Sequence, residues 1–220
     1  MNSHLIIQNY FNELSSLFKE YYGDPDAKTL PFQKDIHSWL NYFYKSPIFR
    51  HIHLEYYKTD KICVLHSNIF PNPLVDLPIM GFDLIALGDK ISGLFFDFTP
   101  TVTESHALRH SLENLNERYK SKKRLLPEWA TFFSDDFYCV TPEPNEMDRI
   151  FKDIKFYIKH YLEFGRGKLE EYTFNIAIQN GYCKGQQKND KTFKALSAEI
   201  GSKDAKKFLT KYLFPKIAIK

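Results

Sequence analysis

The chain has 220 residues, 43% hydrophobic and 26% charged, which excludes disorder and low complexity as its main state. Its 30 basic and 27 acidic residues leave a mild net charge of +3, so the distribution of charge says more than the total. Three isolated cysteines (Cys63, Cys139, Cys183) exclude a disulfide framework and a four-cysteine cluster, and no apolar run approaches the roughly 18 residues of a membrane span, so a cytoplasmic protein is expected.

Residues 3–22 carry Leu5, Ile6, Tyr10, Leu14, Leu17 and Phe18 at helical spacing, which predicts an opening helix stopped by Gly23-Asp24-Pro25-Asp26. Segments 50–58, 61–69, 79–87 and 90–98 are short and rich in β-branched and aromatic side chains. Thr59-Asp60, a proline-rich loop at 71–78 and Gly88-Asp89 separate them, which predicts an antiparallel meander. A helical pattern returns at 103–121, opened by Thr103 with Glu104 nearby. Pro127-Glu128-Trp129 reads as a loop and 136–141 as another strand. Helices follow at 143–164, 168–182, 189–200 and 203–213, with Gly165-Arg166-Gly167 as a break. Strands in one block flanked by helices predict an antiparallel sheet covered on its faces by helices, in one domain.

Several strands carry polar groups where a sheet should be dry. His51, His53 and Glu55 alternate along one strand and share a face. His66 sits amid Val64, Leu65 and Ile69, and Asp83 amid Phe82, Leu84, Ile85 and Leu87. A buried carboxylate is costly, so these groups must pair, hold a proton or serve a site. Adjacent antiparallel strands can gather Glu55, His66 and Asp83 into a carboxyl–imidazole–carboxyl cluster suited to proton transfer. The competing reading is the wet side of a two-sided sheet. His51, His53 and Glu55 lack the spaced partners that would complete a metal site, so no metal is expected. Nucleotide, flavin and serine-hydrolase motifs are absent from the sequence.

Two basic clusters stand out: ten lysines from Lys184 to Lys220, and the knot Arg118, Lys120, Lys122, Lys123 and Arg124. Either suits an acidic partner or a solvated face. The lysine-rich tail has sparse aromatic interleaving and no recognition motif, so nucleic acid is not an expected partner. In the donor-rich stretch Tyr182 to Thr192, Asn189 or Asp190 can cap the next helix, and Lys191 can pair with a ligand carboxylate. Arg124 can do the same with a bidentate fork.

Several stretches together resemble the ferredoxin-dependent bilin reductases. They are Phe49-Arg50-His51-Ile52-His53-Leu54-Glu55, Leu65-His66 with Phe70-Pro71-Asn72-Pro73-Leu74, and Leu77-Pro78-Ile79-Met80-Gly81-Phe82-Asp83. Asp97-Phe98-Thr99-Pro100-Thr101, Arg124-Leu125-Leu126-Pro127-Glu128-Trp129 and Gln186-Gln187-Lys188-Asn189-Asp190-Lys191-Thr192 continue the series in the family's order. The resemblance implies an α/β fold, a single-domain three-layer α/β/α sandwich with a central antiparallel β-sheet over 1–220. It implies biliverdin IXα as substrate, between the sheet and the C-terminal helices, and reduced ferredoxin as external electron donor. The family works without a bound cofactor or metal, through bilin radicals.

Residue by residue, the resemblance makes Asp83 the central aspartate that contacts the pyrrole nitrogens, His66 its histidine partner, and Glu55 the glutamate that supports D-ring vinyl reduction. Arg124 and Lys191 match residues that meet the propionates. Gln186 and Asn189 match supporting positions, and His53 is a residue behind them. The chain departs from the family at Asn72, where an acidic residue is expected, and at Lys184-Gly185, which interrupts a glutamine-rich run. Retained Glu55 points to vinyl reduction, while the short chain resembles a phage subgroup that forms phycoerythrobilin. The expectation is a four-electron reduction, with phycoerythrobilin favoured over phycocyanobilin and a monomer as the working form. The rival expectation is a bilin-binding carrier that has lost catalysis.

Overall fold

The computed structural model describes residues 2–30, 38–101, 106–128, 130–164 and 173–218. Thr103, Glu104, Trp129 and Gly165-Arg166-Gly167, which the sequence patterns single out, lie outside the described residues. Among the described residues, no helix is long and apolar enough to cross a membrane.

Helix α1 (Ser3–Tyr22) starts where the Asn2 side chain accepts hydrogen bonds from the amides of His4 and Leu5. It ends at Gly23, whose φ of 77° favours glycine. Ile7, Tyr10, Phe11, Leu14, Leu17 and Phe18 form its buried stripe. Leu5, read as part of that stripe, is 55% exposed, and Ile7 and Phe11 take the inward positions.

The next strands are β1 (Asp26–Ala27), β2 (Ser38–Tyr44), β3 (Phe49–Lys58), β4 (Ile62–Pro71), β5 (Ile79–Leu87) and β6 (Lys90–Thr99). After α2 (His106–Arg118) come β7 (Lys122–Lys123) and β8 (Tyr138–Thr141). The eight strands form one antiparallel sheet in the order β1-β2-β3-β4-β5-β6-β8-β7. The expected meander is therefore present as β3 to β6, and β2 extends it on one side. In the proline-rich loop, the Asn72 side chain accepts from the Leu74 amide and its carbonyl from the Val75 amide. Asparagine thus makes the Asx-type turn that an acidic residue would make there.

Helix α3 (Met147–Phe164) joins α1 and α2 on one face of the sheet. That face presents Leu54, Tyr56, Leu65, Phe82, Leu84, Leu94 and Phe96 to Phe11, Leu14, Leu112, Ile150 and Phe151, a dry core. The other face meets the C-terminal elements α4 (Thr173–Gln186), α5 (Asp190–Ile200) and α6 (Ser202–Phe208), with a π-helical turn at Leu209–Leu213. A second, smaller core lies here, built from Trp39, Phe70, Ile79, Tyr182, Phe208, Leu209, Leu213 and Phe214. Helix–sheet–helix layering places the polar sheet face beneath the C-terminal helices.

Candidate active site

Strand register brings the expected cluster together. Glu55 lies directly opposite His66, and His66 directly opposite Asp83. The row continues to Asn41 on one side and to Phe95 and Cys139 on the other. Directly opposed residues share a face and sit about 5 Å apart, so one pleat carries the whole set. The apolar residues between them, such as Leu54, Leu65, Phe82 and Leu84, point to the opposite core.

His66 Nδ1 lies 2.7 Å from Asp83 Oδ1. The His66 side chain is 9% exposed and that of Asp83 is 39% exposed, so the pair runs from the interior toward solvent. Burial works against a charged His66, but the charge and hydrogen bond of Asp83 and the charge of Glu55 outweigh it and raise its proton affinity. Glu55 is buried, and Trp39 Nε1 donates to its Oε1 at 2.6 Å. Burial pushes the Glu55 carboxyl up to about 7, against the pull of His66 and Trp39.

His53 is fully buried beside this row, its ring stacked on Phe43 at 4.5 Å and its Nε2 2.9 Å from Asn41 Oδ1. Burial, with His66 and His51 nearby, holds His53 neutral, so its Nε2–H donates to Asn41. His51 is held neutral by burial and by Arg50, with its pKa lowered to about 3. His53 Nδ1 and His51 Nε2 are buried without a hydrogen-bond partner. Among the described residues, no group of three His, Cys, Asp or Glu side chains has the geometry to hold a metal ion.

Arg124 stands at the far end of the row, its guanidinium 5.5 Å from the centre of the Phe95 ring. It donates to the Ser92 carbonyl and to Thr141 Oγ1. The loop after Arg124 packs on the end of α4, where Phe132 lies 5.1 Å from Tyr182. A Cβ at Gly185 would come within 2.2 Å of the Phe132 ring, so the glycine that interrupts the glutamine-rich run is the one residue that lets this ring pack. Gln186 donates to the Tyr182 hydroxyl at 2.9 Å and so acts through that phenol. Asn189 caps α5, accepting from the amides of Lys191 and Thr192. Lys191 follows in the first turn of α5 and is exposed. Arg124, held by Ser92 and Thr141, and Lys191, in the first turn of α5, are both exposed.

Four further side chains belong to this face. Asn41, Trp39 and Asn68 are neighbours of the cluster in register, and the Tyr182 hydroxyl lies 3.3 Å from the point where Gly81 would carry a Cβ. Period-two counting from His66 and from Glu55 reaches Asn68 and, across the sheet, Asn41. Trp39 and Tyr182 need the pairing of β2 and the packing of α4. Asp97, two residues beyond Phe95, is also buried and accepts from Thr99 Oγ1 and from the amide and hydroxyl of Ser134. Burial raises its carboxyl to about 6 despite these bonds. Asp97→Ala leaves Ser134 and Thr99 unpaired and is expected to lower the unfolding free energy by about 3 kcal/mol in urea titration. A loss below about 1 kcal/mol would mean that Ser134 does not depend on Asp97.

The geometry is thus a row of ionisable side chains that runs from the buried Glu55 through His66 to the partly exposed Asp83. The family model for ferredoxin-dependent bilin reductase matches residues 32–215. The chain belongs to that family. It is an oxidoreductase that reduces a bilin with electrons from ferredoxin. Phycocyanobilin:ferredoxin oxidoreductase of Prochlorococcus marinus strain SARG is 29% identical over 92% of this chain and 83% of its own length. The enzyme of the same name from strain MIT 9515 is 25% identical over 79% of this chain and 76% of its own. Among solved structures, PcyX superposes with a TM-score of 0.67 at 21% identity, over 96% of this bilin reductase and 98% of PcyX. Tomato phytochromobilin synthase in complex with biliverdin gives a TM-score of 0.68 at 19% identity, over 95% of this chain and 81% of the tomato protein. The three-layer α/β/α fold implied by the sequence resemblance is the fold of this bilin reductase.

Proposed function

We propose that this bilin reductase converts biliverdin IXα to a phycobilin by four single-electron steps, each followed by a proton from the Glu55–His66–Asp83 row. The observation that carries the reading is the unbroken register from Glu55 through His66 to Asp83 on the sheet face under the C-terminal helices. An electron delivered to a bilin in a low-dielectric site creates a charged radical, and that charge is costly until a proton neutralises it. Asp83 is the most exposed of the three and faces the bilin first. His66, 2.7 Å behind it, restores its proton. Glu55 holds a separate proton near neutral pH, because burial raises its carboxyl to about 7.

The rim supplies binding. Arg124 and Lys191 meet the two propionates, Arg124 with a planar fork and Lys191 as a point charge. Asn189 and Gln186 hold the rim in shape through the α5 cap and the Tyr182 phenol. His53 stays neutral and supports the row from behind. The basic knot around Lys122 and Lys123 steers the acidic ferredoxin, which delivers its electrons singly. The enzyme acts as one domain and as a monomer. Phycoerythrobilin is favoured over phycocyanobilin as the product, against the indication of Glu55, which points to reduction of the D-ring vinyl group that phycoerythrobilin retains.

Anaerobic incubation of the purified protein with biliverdin and reduced ferredoxin tests this reading. A phycobilin is expected, and its chromatographic retention separates phycoerythrobilin from phycocyanobilin. Biliverdin recovered unreduced from a tight complex would replace the enzyme reading with that of a carrier.

A further inference from the structure

We propose that Asn68 is a positioning residue that decides which nitrogen of His66 carries the proton, and that it links this choice to the C-terminal segment through Leu213. The idea rests on the reading of His66 as part of the proton path. Asn68 is 1% exposed and lies two residues beyond His66 on β4, on the same face of the sheet. Its Nδ2 is 2.6 Å from the Leu213 carbonyl oxygen and 3.1 Å from His66 Nε2. A carbonyl only accepts, so Leu213 fixes the orientation of the amide. Turned over, Asn68 would set its own oxygen against another acceptor.

Both Asn68 amino hydrogens are then assigned, one to Leu213 and one to His66 Nε2. A ring nitrogen that accepts a hydrogen bond bears no proton. The His66 proton therefore sits on Nδ1, where it is donated to Asp83 Oδ1 at 2.7 Å. Asn68 Oδ1 is buried without a full hydrogen bond, the cost of holding this orientation. Leu213 closes the π-helical turn, and the last carbonyls of a helix have no partner within it, so its oxygen is free to hold Asn68.

The groups around His66 are Asp83 on β5, Glu55, His53 and His51 on β3, and the ring of Phe214 at 6.1 Å, with the Tyr182 phenol of α4 on the side of Asp83. Asp83 and Glu55 favour a second proton on His66, while His53 and His51 are neutral. A second proton would sit on Nε2 and point at the Asn68 amino group, so Asn68 opposes it. Neutral His66 thus holds its one proton toward Asp83, and it can pass that proton on only when Nε2 takes another, which requires Asn68 to turn. Release of Leu213 lets Asn68 turn, and His66 then accepts the second proton.

Histidine ¹⁵N NMR of the ligand-free full chain tests this, with His66→Gln identifying the resonances. At pH above its titration midpoint, where the ring is neutral, wild-type His66 is expected to be protonated on Nδ1 and bare on Nε2, the reverse of the form that free histidine favours. In Asn68→Leu the His66 titration midpoint is expected to rise by about one pH unit, the effect of losing one neutral hydrogen bond to the unprotonated ring. A neutral wild-type ring with its proton on Nε2, or an unchanged midpoint in a folded Asn68→Leu protein, would overturn the proposal. The wild-type spectrum decides the matter even where the variant does not fold. Neither readout uses bilin or turnover, so each stands apart from the proposed reaction.

Discussion

Asp83→Asn is expected to lower turnover by about 100-fold or more while biliverdin still binds, as measured by anaerobic kinetics and spectral titration. Asparagine has nearly the volume of aspartate, and its oxygen still accepts the proton on His66 Nδ1, so the fold and the pocket persist. It has no proton to release, however, and a reduced bilin facing it stays charged. Asp83 is also the member of the row nearest solvent, with a side chain 39% exposed, so no other carboxyl in the row takes over its position. Wild-type turnover in this variant would remove Asp83 from the proton path.

Glu55 has the second large expected effect, and it is a pH effect. Its carboxyl is protonated below about 7 and ionised above, because burial outweighs the bond from Trp39 and the charge on His66. The step that draws on Glu55 should therefore slow as pH rises through about 7. Glu55→Gln is expected to lose that step by about 100-fold and to remove this limb of the pH profile, with a two-electron product accumulating. The sign for stability follows from the same shift. A carboxyl whose folded pKa is raised from 4.5 to about 7 contributes stability that is complete below 4.5 and is lost as pH climbs through about 7. Glu55→Gln should thus gain stability relative to the wild type between about pH 5 and about 8 in urea unfolding. A variant that keeps the wild-type pH limb would assign that limb to another group.

Much of the site is legible in the sequence because its strands alternate strongly. Segments 50–58, 61–69, 79–87 and 90–98 coincide with β3 to β6 within two residues at each end, since β-branched and aromatic runs bounded by Asp and Gly turns have few other solutions. The same alternation places Glu55, His66 and Asp83 on one face, and hairpin connections set the register that makes them neighbours. Strand β2 is not among the predicted strands, and Trp39 and Asn41 are missed with it, because a seven-residue strand with the burial of Ser38–Tyr44 alternates only in part. Asn68 is legible only as a polar residue in a strand. Its meaning depends on the Leu213 carbonyl, 145 residues away in the chain. The end of the last helix reads as ordinary helix at 203–213, whereas α6 gives way to a π-helical turn at Leu209. A widened turn leaves the apolar spacing almost intact and so leaves little mark in sequence. Of the two cap candidates Asn189 and Asp190, Asn189 takes the cap and Asp190 opens α5.

The most direct test of the whole account is a crystal structure of this protein with biliverdin bound under anaerobic conditions. The bilin is expected between the sheet and the C-terminal helices, its pyrrole nitrogens facing Asp83 and its propionates at Arg124 and Lys191. A bilin bound on any other surface, with the Glu55–His66–Asp83 row untouched, would contradict it.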